Sequence, residues 1–175
     1  MQVISINTKD IRNAALSLKA GDRVALSGVI YTARDAAHKR IAAALDGGEP
    51  LPVPLDGAVI YYVGPTPAPA GMPIGSCGPT TAERMDPYTP RLLDLGLAAM
   101  IGKGGRSAEV VEAIRRNRAV YFCAVGGAGA LAARRVEKAE VAAYDDLGCE
   151  SIKRLYIRDF PLIVAIDGNG GSLFR

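Results

Sequence analysis

The chain has 175 residues, of which 49% are hydrophobic and 22% charged; that is enough to bury one core of ordinary domain size and too apolar for a disordered chain. Trp is absent, aromatic residues make up 6%, and a net charge of +3 comes from 21 basic and 18 acidic residues. This balance lacks the stacking platforms and basic stripe of a nucleic-acid binder, and no apolar run reaches membrane-spanning length.

The N-terminus, MQVISINTKD, has no charged-then-apolar leader pattern. Residues 2–7 alternate and are β-branched, which predicts a strand. Thr8 is placed to cap a short helix with Ile11, Ala14, Ala15 and Leu18 on one face. Gly21-Asp22 marks a turn, 23–32 a second strand, and 34–46 a helix closed by Gly47-Gly48. A Pro-rich loop at 49–57 leads to a buried strand at 58–63. The stretch 64–79 holds five Pro and four Gly, a loop long enough to suggest function. The pattern then predicts helix at 90–95, strand at 97–102, a Ser107-capped helix to Arg116 and strand at 119–125. Gly126-Gly127-Ala128-Gly129 turns into a short helix near 129–134. Strands are expected at 136–143, 152–157 and 162–166. The reading is a single α/β domain over 1–175, with a mixed sheet and flanking helices.

Three cysteines, Cys77, Cys123 and Cys149, are odd in number and widely spaced. They suggest neither a disulfide framework nor a closed zinc site, and one His gives no His-based metal site. A reducing, cytoplasmic setting is expected. The mild positive excess suits a small anionic substrate, provided a few cations converge on it.

Gly78-Pro79-Thr80-Thr81-Ala82-Glu83-Arg84-Met85-Asp86 is the segment richest in chemistry. Pro is favoured at the first position of a helix, so a helix is expected to start here. It would place the Thr80 hydroxyl, free backbone N–H groups and Arg84 one turn along the same face, a set suited to a carboxylate. A plain capped helix with Arg84 as a surface charge would show the same residues. Arg34 and His38, four apart at a strand-to-helix junction, also share a predicted face, with Asp35 in the first turn. Arg34 is the better ligand candidate, and His38 reads as a supporting hydrogen-bond partner. Lys103, flanked by Gly102, Gly104 and Gly105, is exposed at a strand end, but the phosphate-loop pattern is absent. The glycine turn at 126–129 lacks the dinucleotide spacing. Asp159-Phe160-Pro161 is either a turn between two strands or a group that orders a cation of the site.

Together, TARDAAHKR (32–40), YYVGP (61–65), GPTTAERMD (78–86), GKGG (102–105), VGGAGAL (125–131) and the tail at 147–167 resemble the β region of the iron–sulfur class I fumarase and L-tartrate dehydratase family. The resemblance covers nearly the whole chain, and GPTTAERMD is its most specific part. It implies a swivelling β/β/α domain and a reversible dehydration of a 2-hydroxy dicarboxylate: malate to fumarate in the first place, or tartrate to oxaloacetate. It implies a 4Fe–4S cluster bound by a separate α subunit and not by this chain, and an α2β2 assembly. Residue by residue, Arg34, Arg84 and Lys103 match substrate-binding positions. Thr80 matches the Thr that takes the C3 proton, and Asp35, His38 and Thr81 support them. Two departures stand out: Glu83 occupies a place where smaller residues are usual, and the GGAGAL turn lacks a proline. A non-catalytic carboxylate-binding or assembly module of the same fold remains an alternative, as does a nucleotide binder using the glycine turns.

Overall fold

The structure is a computed structural model that describes residues 2–125 and 127–174. Gly126, part of the expected glycine turn, lies outside the described residues. Strands β1 (Val3–Asn7), β2 (Arg23–Thr32), β3 (Val59–Tyr61), β4 (Ala99–Gly102) and β5 (Val120–Cys123) are joined by helices or long loops. The helices are α1 (Ile11–Ala15), α2 (Asp35–Asp46), α3 (Thr89–Asp94), α4 (Ala108–Asn117) and α5 (Gly129–Ala133). β6 (Val136–Ala143) and β7 (Ile152–Ile166) complete a seven-stranded sheet in the order β1-β2-β3-β4-β5-β7-β6.

β1 to β5 run parallel, while β7 is antiparallel to β5, β6 and β2. Because β7 pairs with both β5 and β2, the ladder β2-β3-β4-β5-β7 returns to its own start. Closure leaves these five strands no free edge, and β1 and β6 lie outside the circuit. Alternate residues of the circuit face two cores. Leu26, Tyr61, Ile101, Phe122 and Leu155 belong to one, with α1 beneath it. Ile60, Tyr62, Met100 and Tyr121 belong to the other, covered by α2, α3 and α4 through Ile41, Leu92 and Ile114. Strands buried on both faces read as continuous apolar runs, which is why 58–63 and 119–125 stood out in the sequence.

Four expectations require correction. Thr8 does not cap the first helix: Asn7 accepts from the Lys9 N–H at 3.0 Å, and the Thr8 hydroxyl oxygen accepts from the Val29 N–H at 3.0 Å. Thr8 can do so because β2 carries Gly28 at φ +121, where a Cβ would lie 2.2 Å from the Thr8 hydroxyl. The expected strands at 152–157 and 162–166 are one 15-residue strand. Asp159-Phe160-Pro161 is therefore no turn between strands but part of a bulge in which Arg158 and Asp159 face the single residue Ser27. Asp159 adopts φ +47 there, and its N–H donates to the Ser27 hydroxyl at 2.9 Å. Pro161 pairs with Ala25 two residues past Asp159, beside the bulge, where a residue without a donor is tolerated. The other two corrections, at Pro79 and at Arg34 and His38, belong to the site.

Candidate functional site

The parallel strands all end on one edge of the sheet, and Arg34, Thr80, Arg84 and Lys103 lie there, as ligand groups do in α/β folds, whereas Asp159 sits opposite Ser27 in the middle of β2. Pairing continues one residue beyond each strand. Ala33 N–H donates to the Tyr61 carbonyl at 3.1 Å, Tyr62 N–H to Ile101 at 2.8 Å, and Ala124 N–H to Gly102 at 3.0 Å. Past these bonds β3 and β4 separate, and residues 80–82 enter the gap. Thr80 N–H donates to the Tyr62 carbonyl at 2.7 Å, Lys103 N–H to Thr80 at 3.3 Å, and Ala82 N–H to Lys103 at 2.9 Å. Thr81 bridges Lys103 in parallel register. The insertion satisfies backbone groups that a splayed strand end would leave bare. Gly102 makes room for it, since a Cβ there would lie 2.9 Å from the Tyr62 ring and 3.1 Å from the Ala82 Cβ.

This overturns the helix expected at Pro79. Residues 78–80 carry no helix, and only a four-residue 3-10 turn, Ala82–Met85, follows, with no side-chain cap at Thr81. The segment is drawn instead into the sheet and the neighbouring loop, where Cys77 N–H donates to the Gly129 carbonyl at 3.1 Å. Thr80 and Arg84 do not share a helix face, and no helix end is offered to an anion.

Arg34 and His38 do not share a face either. Arg34 is extended at the N-cap of α2 (φ −130, ψ −151). Its carbonyl accepts from the His38 N–H at 2.9 Å and lies 2.9 Å from His38 Nδ1. A carbonyl only accepts, so Nδ1 carries the ring proton. His38 is buried between Tyr62 and Tyr88, with ring centroids 5.5 and 5.7 Å away, and its Nε2 has no partner among the described residues. Burial brings its pKa down to about 4, helped by the Arg106 charge and opposed by the Arg34 carbonyl and Asp35. The ring is therefore neutral at pH 7 and fixes the Arg34 backbone.

The charges above it are open to solvent. Arg34 Nε lies 3.2 Å from Asp35 and 3.3 Å from Glu150, and the Arg34 side chain passes over Gly64. Arg84 grips Asp35 with both Nε (2.9 Å) and Nη2 (2.5 Å). Side-chain exposures of 25%, 37% and 49% for Arg34, Asp35 and Arg84 leave their outer surfaces available to a ligand. Burial tends to raise the Asp35 carboxyl, but hydrogen bonds from Arg84 and Arg34 prevail and hold it below the usual carboxylate range. Lys103 is exposed and pairs with no carboxylate among the described residues. Glu83 is exposed.

A second charged cluster lies beneath this edge. The Arg106 side chain is 0% exposed and donates through Nε to Asp86 at 2.7 Å, Nη2 to Thr89 at 2.7 Å and Nη1 to the Tyr62 hydroxyl at 3.3 Å. Its guanidinium carbon lies 5.3 Å from the Tyr62 ring centroid and 5.0 Å from that of Tyr121. The other Asp86 oxygen accepts from the Ser107 N–H at 2.7 Å. Sequence reasoning missed this pair. An Arg just before a capping serine resembles any helix flank, and its partner is 20 residues away.

The edge thus carries three cations beside Thr80, residue types that hold small anions. The donors do not fit an iron–sulfur cluster or other metal. Cys77 is buried with its thiol pushed up to about 11 by burial, Cys149 is exposed, and no group of three His, Cys, Asp or Glu that could hold a metal forms among the described residues. An adjacent cleft of about 400 Å³, lined by Pro65, Ile74, Val141 and Lys153, does not include Arg34, Thr80, Arg84 or Lys103. No helix among the described residues is long and apolar enough to cross a membrane.

Residues 1–175 match the family described as Fumarase C-terminus. The chain is 39% identical over 155 residues to the anaerobic class I fumarate hydratase of Escherichia coli, covering 87% of this chain and 28% of that protein. It is 38% identical over 155 residues to the mitochondrial fumarate hydratase 1 of Leishmania major, covering 87% and 28%. It is 37% identical over 176 residues to the putative L(+)-tartrate dehydratase subunit beta of Methanocaldococcus jannaschii, covering 97% and 88%. The chain therefore spans little more than a quarter of these fumarate hydratases but most of the tartrate dehydratase subunit. An edge built from 32–40, 61–64, 78–86 and 102–106 and a match along the entire sequence lead to one conclusion: the chain belongs to the fumarase C-terminus family.

Proposed function

We infer that this chain is the β subunit of a hydro-lyase that reversibly dehydrates a 2-hydroxy dicarboxylate, malate or tartrate, in complex with a cluster-bearing α subunit. The observation that supports the reading is the open edge where Arg34 and Arg84 share Asp35 and where the Thr80 backbone is tied to Tyr62 and Lys103 while its hydroxyl makes no protein hydrogen bond among the described residues. Two guanidinium forks suit the two carboxylates of such a substrate. Arg84 meets Asp35 through Nε and Nη2, so Nη1 remains for a ligand. Asp35 holds both forks in place, while His38 and Thr81 act through the backbone around them. Lys103 stabilises charge that develops as the C3 proton leaves. Thr80 is the candidate acceptor of that proton, and a hydroxyl needs the nearby cations to do so at neutral pH.

No donor set among the described residues fits a metal, and the family resemblance assigns the 4Fe–4S cluster to a partner subunit. Bound there, it would supply Lewis acidity toward the substrate hydroxyl. The beta-subunit name of the Methanocaldococcus relative supports a partner. An α2β2 assembly, in which this domain swings over the partner's cluster, follows from the same reading. The alternative, a carboxylate-binding or assembly module without catalysis, differs in one measurable way. Anaerobic co-expression with a subunit carrying three cluster cysteines, assayed on malate, fumarate and both tartrates, is expected to give activity that neither chain shows alone. A cluster-loaded complex inactive on all four would overturn the proposal in favour of the binding module.

A further inference from the structure

Three chain segments of the edge, two of which carry site residues, meet at one buried side chain. Thr80 and Arg84 lie on the run that ends in Asp86, Lys103 lies on the run that ends in Arg106, and the run 61–64 passes beneath both. Arg106 reaches all three, through Asp86 and Thr89, through its own loop, and through the hydroxyl and ring face of Tyr62. Asp86 returns the contact by accepting the Ser107 N–H that opens α4. Tyr62 meets His38 edge-on, with ring centroids 5.5 Å apart, and His38 holds the Arg34 carbonyl. The cluster is sealed: the Arg106 side chain is 0% and the Asp86 side chain 9% exposed.

We propose that Arg106 is a positioning residue that sets the register between the Thr80–Arg84 run and the Lys103 loop, and through it the reaction rate; the kinetic part rests on the hydro-lyase reading above. The chemistry favours Arg for this task. Three partners, Asp86, the Tyr62 hydroxyl and Thr89, each take a different nitrogen, and the guanidinium carbon lies 5.3 and 5.0 Å from the Tyr62 and Tyr121 ring centroids. A guanidinium serves both needs, whereas an ammonium supplies a point charge without a fork or a stacking face. Arg106 touches no ligand, since it is enclosed by protein. Its influence runs through the Thr80, Lys103 and Ala82 backbone bonds to Tyr62, Thr80 and Lys103, which tie the two runs together.

The test uses the purified complex with the α subunit and three variants, Arg106→Lys, Asp86→Asn and Arg106→Ala. Hydrogen exchange over residues 79–84 is expected to accelerate at least about tenfold in Arg106→Lys relative to peptides from β5. With cluster content and assembly retained, kcat is expected to fall about 100-fold, the scale of a misplacement near 1 Å, while KM changes much less. Asp86→Asn, which keeps shape and loses charge, is expected to shift exchange in the same segment by a smaller factor. Adding low-millimolar guanidinium to Arg106→Ala is expected to restore part of kcat, an effect a general loss of stability would not give. Unchanged exchange over 79–84 in Arg106→Lys would overturn the positioning role, as would an assembled, cluster-loaded Arg106→Lys complex with wild-type kcat. A wild-type complex inactive on every dicarboxylate would sink the hydro-lyase reading and the kinetic claim, and the exchange result would still decide the register.

Discussion

Arg84 and Asp86 are two residues apart, yet each belongs to a different arginine–carboxylate pair in a different solvent. Arg84 pairs with Asp35 at the surface, with side chains 49% and 37% exposed. Asp86 pairs with Arg106, where the exposures are 9% and 0%. Water screens the first pair and keeps it exchangeable, so it contributes little to stability and can yield its cation to a ligand. The second pair has lost its water. It persists because Thr89, Tyr62 and the Ser107 N–H complete the hydrogen bonding of both partners. One pair is shaped for recognition and the other for register, although a sequence shows only two arginines and two aspartates.

The largest expected effect removes the buried side. Arg106→Ala strands the Asp86 carboxylate in the protein and should cost about 3–5 kcal/mol of unfolding free energy. Urea unfolding reads this directly, and a loss below about 1 kcal/mol would erase the distinction between the pairs.

His38 sits between the two clusters, with Arg106, Asp35, Tyr62 and Tyr88 around it. Burial places its folded pKa at about 4, below the ordinary 6.5, so the unfolded chain takes up this proton first as pH falls. The stability it confers is complete above pH 6.5 and is lost on the way to pH 4, by up to about 3 kcal/mol. His38→Asn keeps a donor for the Arg34 carbonyl and does not titrate. Its urea midpoint should fall less than wild type between pH 6.5 and 4, and superimposable curves would contradict a buried neutral ring.

The smallest expected effect is on the open side. Asp35 has a depressed pKa, so the stability it adds is present above its ordinary 3.8 and is lost as pH falls through the folded value. It is more than a third exposed, and screening limits the sum. Asp35→Asn at pH 7 should cost no more than about 1 kcal/mol, with the difference shrinking in high salt. A loss as large as that of Arg106→Ala would mean that the open pair is structural after all.

Much of the frame was legible in advance because its signals are local. The apolar run at 58–63, the Gly47-Gly48 stop after α2 and the Ser107 cap, whose hydroxyl accepts from the Val110 N–H at 3.3 Å, depend on neighbours in sequence. What escaped depends on partners far away. Pro79 carries a helix-start preference, but the Tyr62 carbonyl and the Lys103 N–H draw the segment into the sheet. Asp159-Phe160-Pro161 has turn chemistry, yet pairing with β2 on both sides keeps one strand running through it. Arg34, Thr80, Arg84 and Lys103 were named from residue type and resemblance, and the structure sets them on one edge. The helix meant to join Thr80 and Arg84 gave way to backbone pairing, and the Arg106 joint beneath them had no local signature.

The most direct test of the account is kcat/KM of Arg84→Ala in the cluster-loaded complex, measured with its melting temperature. The account predicts a fall of about 100-fold or more, the scale of losing one charge-stabilising donor, with a melting temperature close to wild type because the pair it breaks is open to water. A fully active Arg84→Ala complex would contradict the assignment of this edge as the substrate clamp.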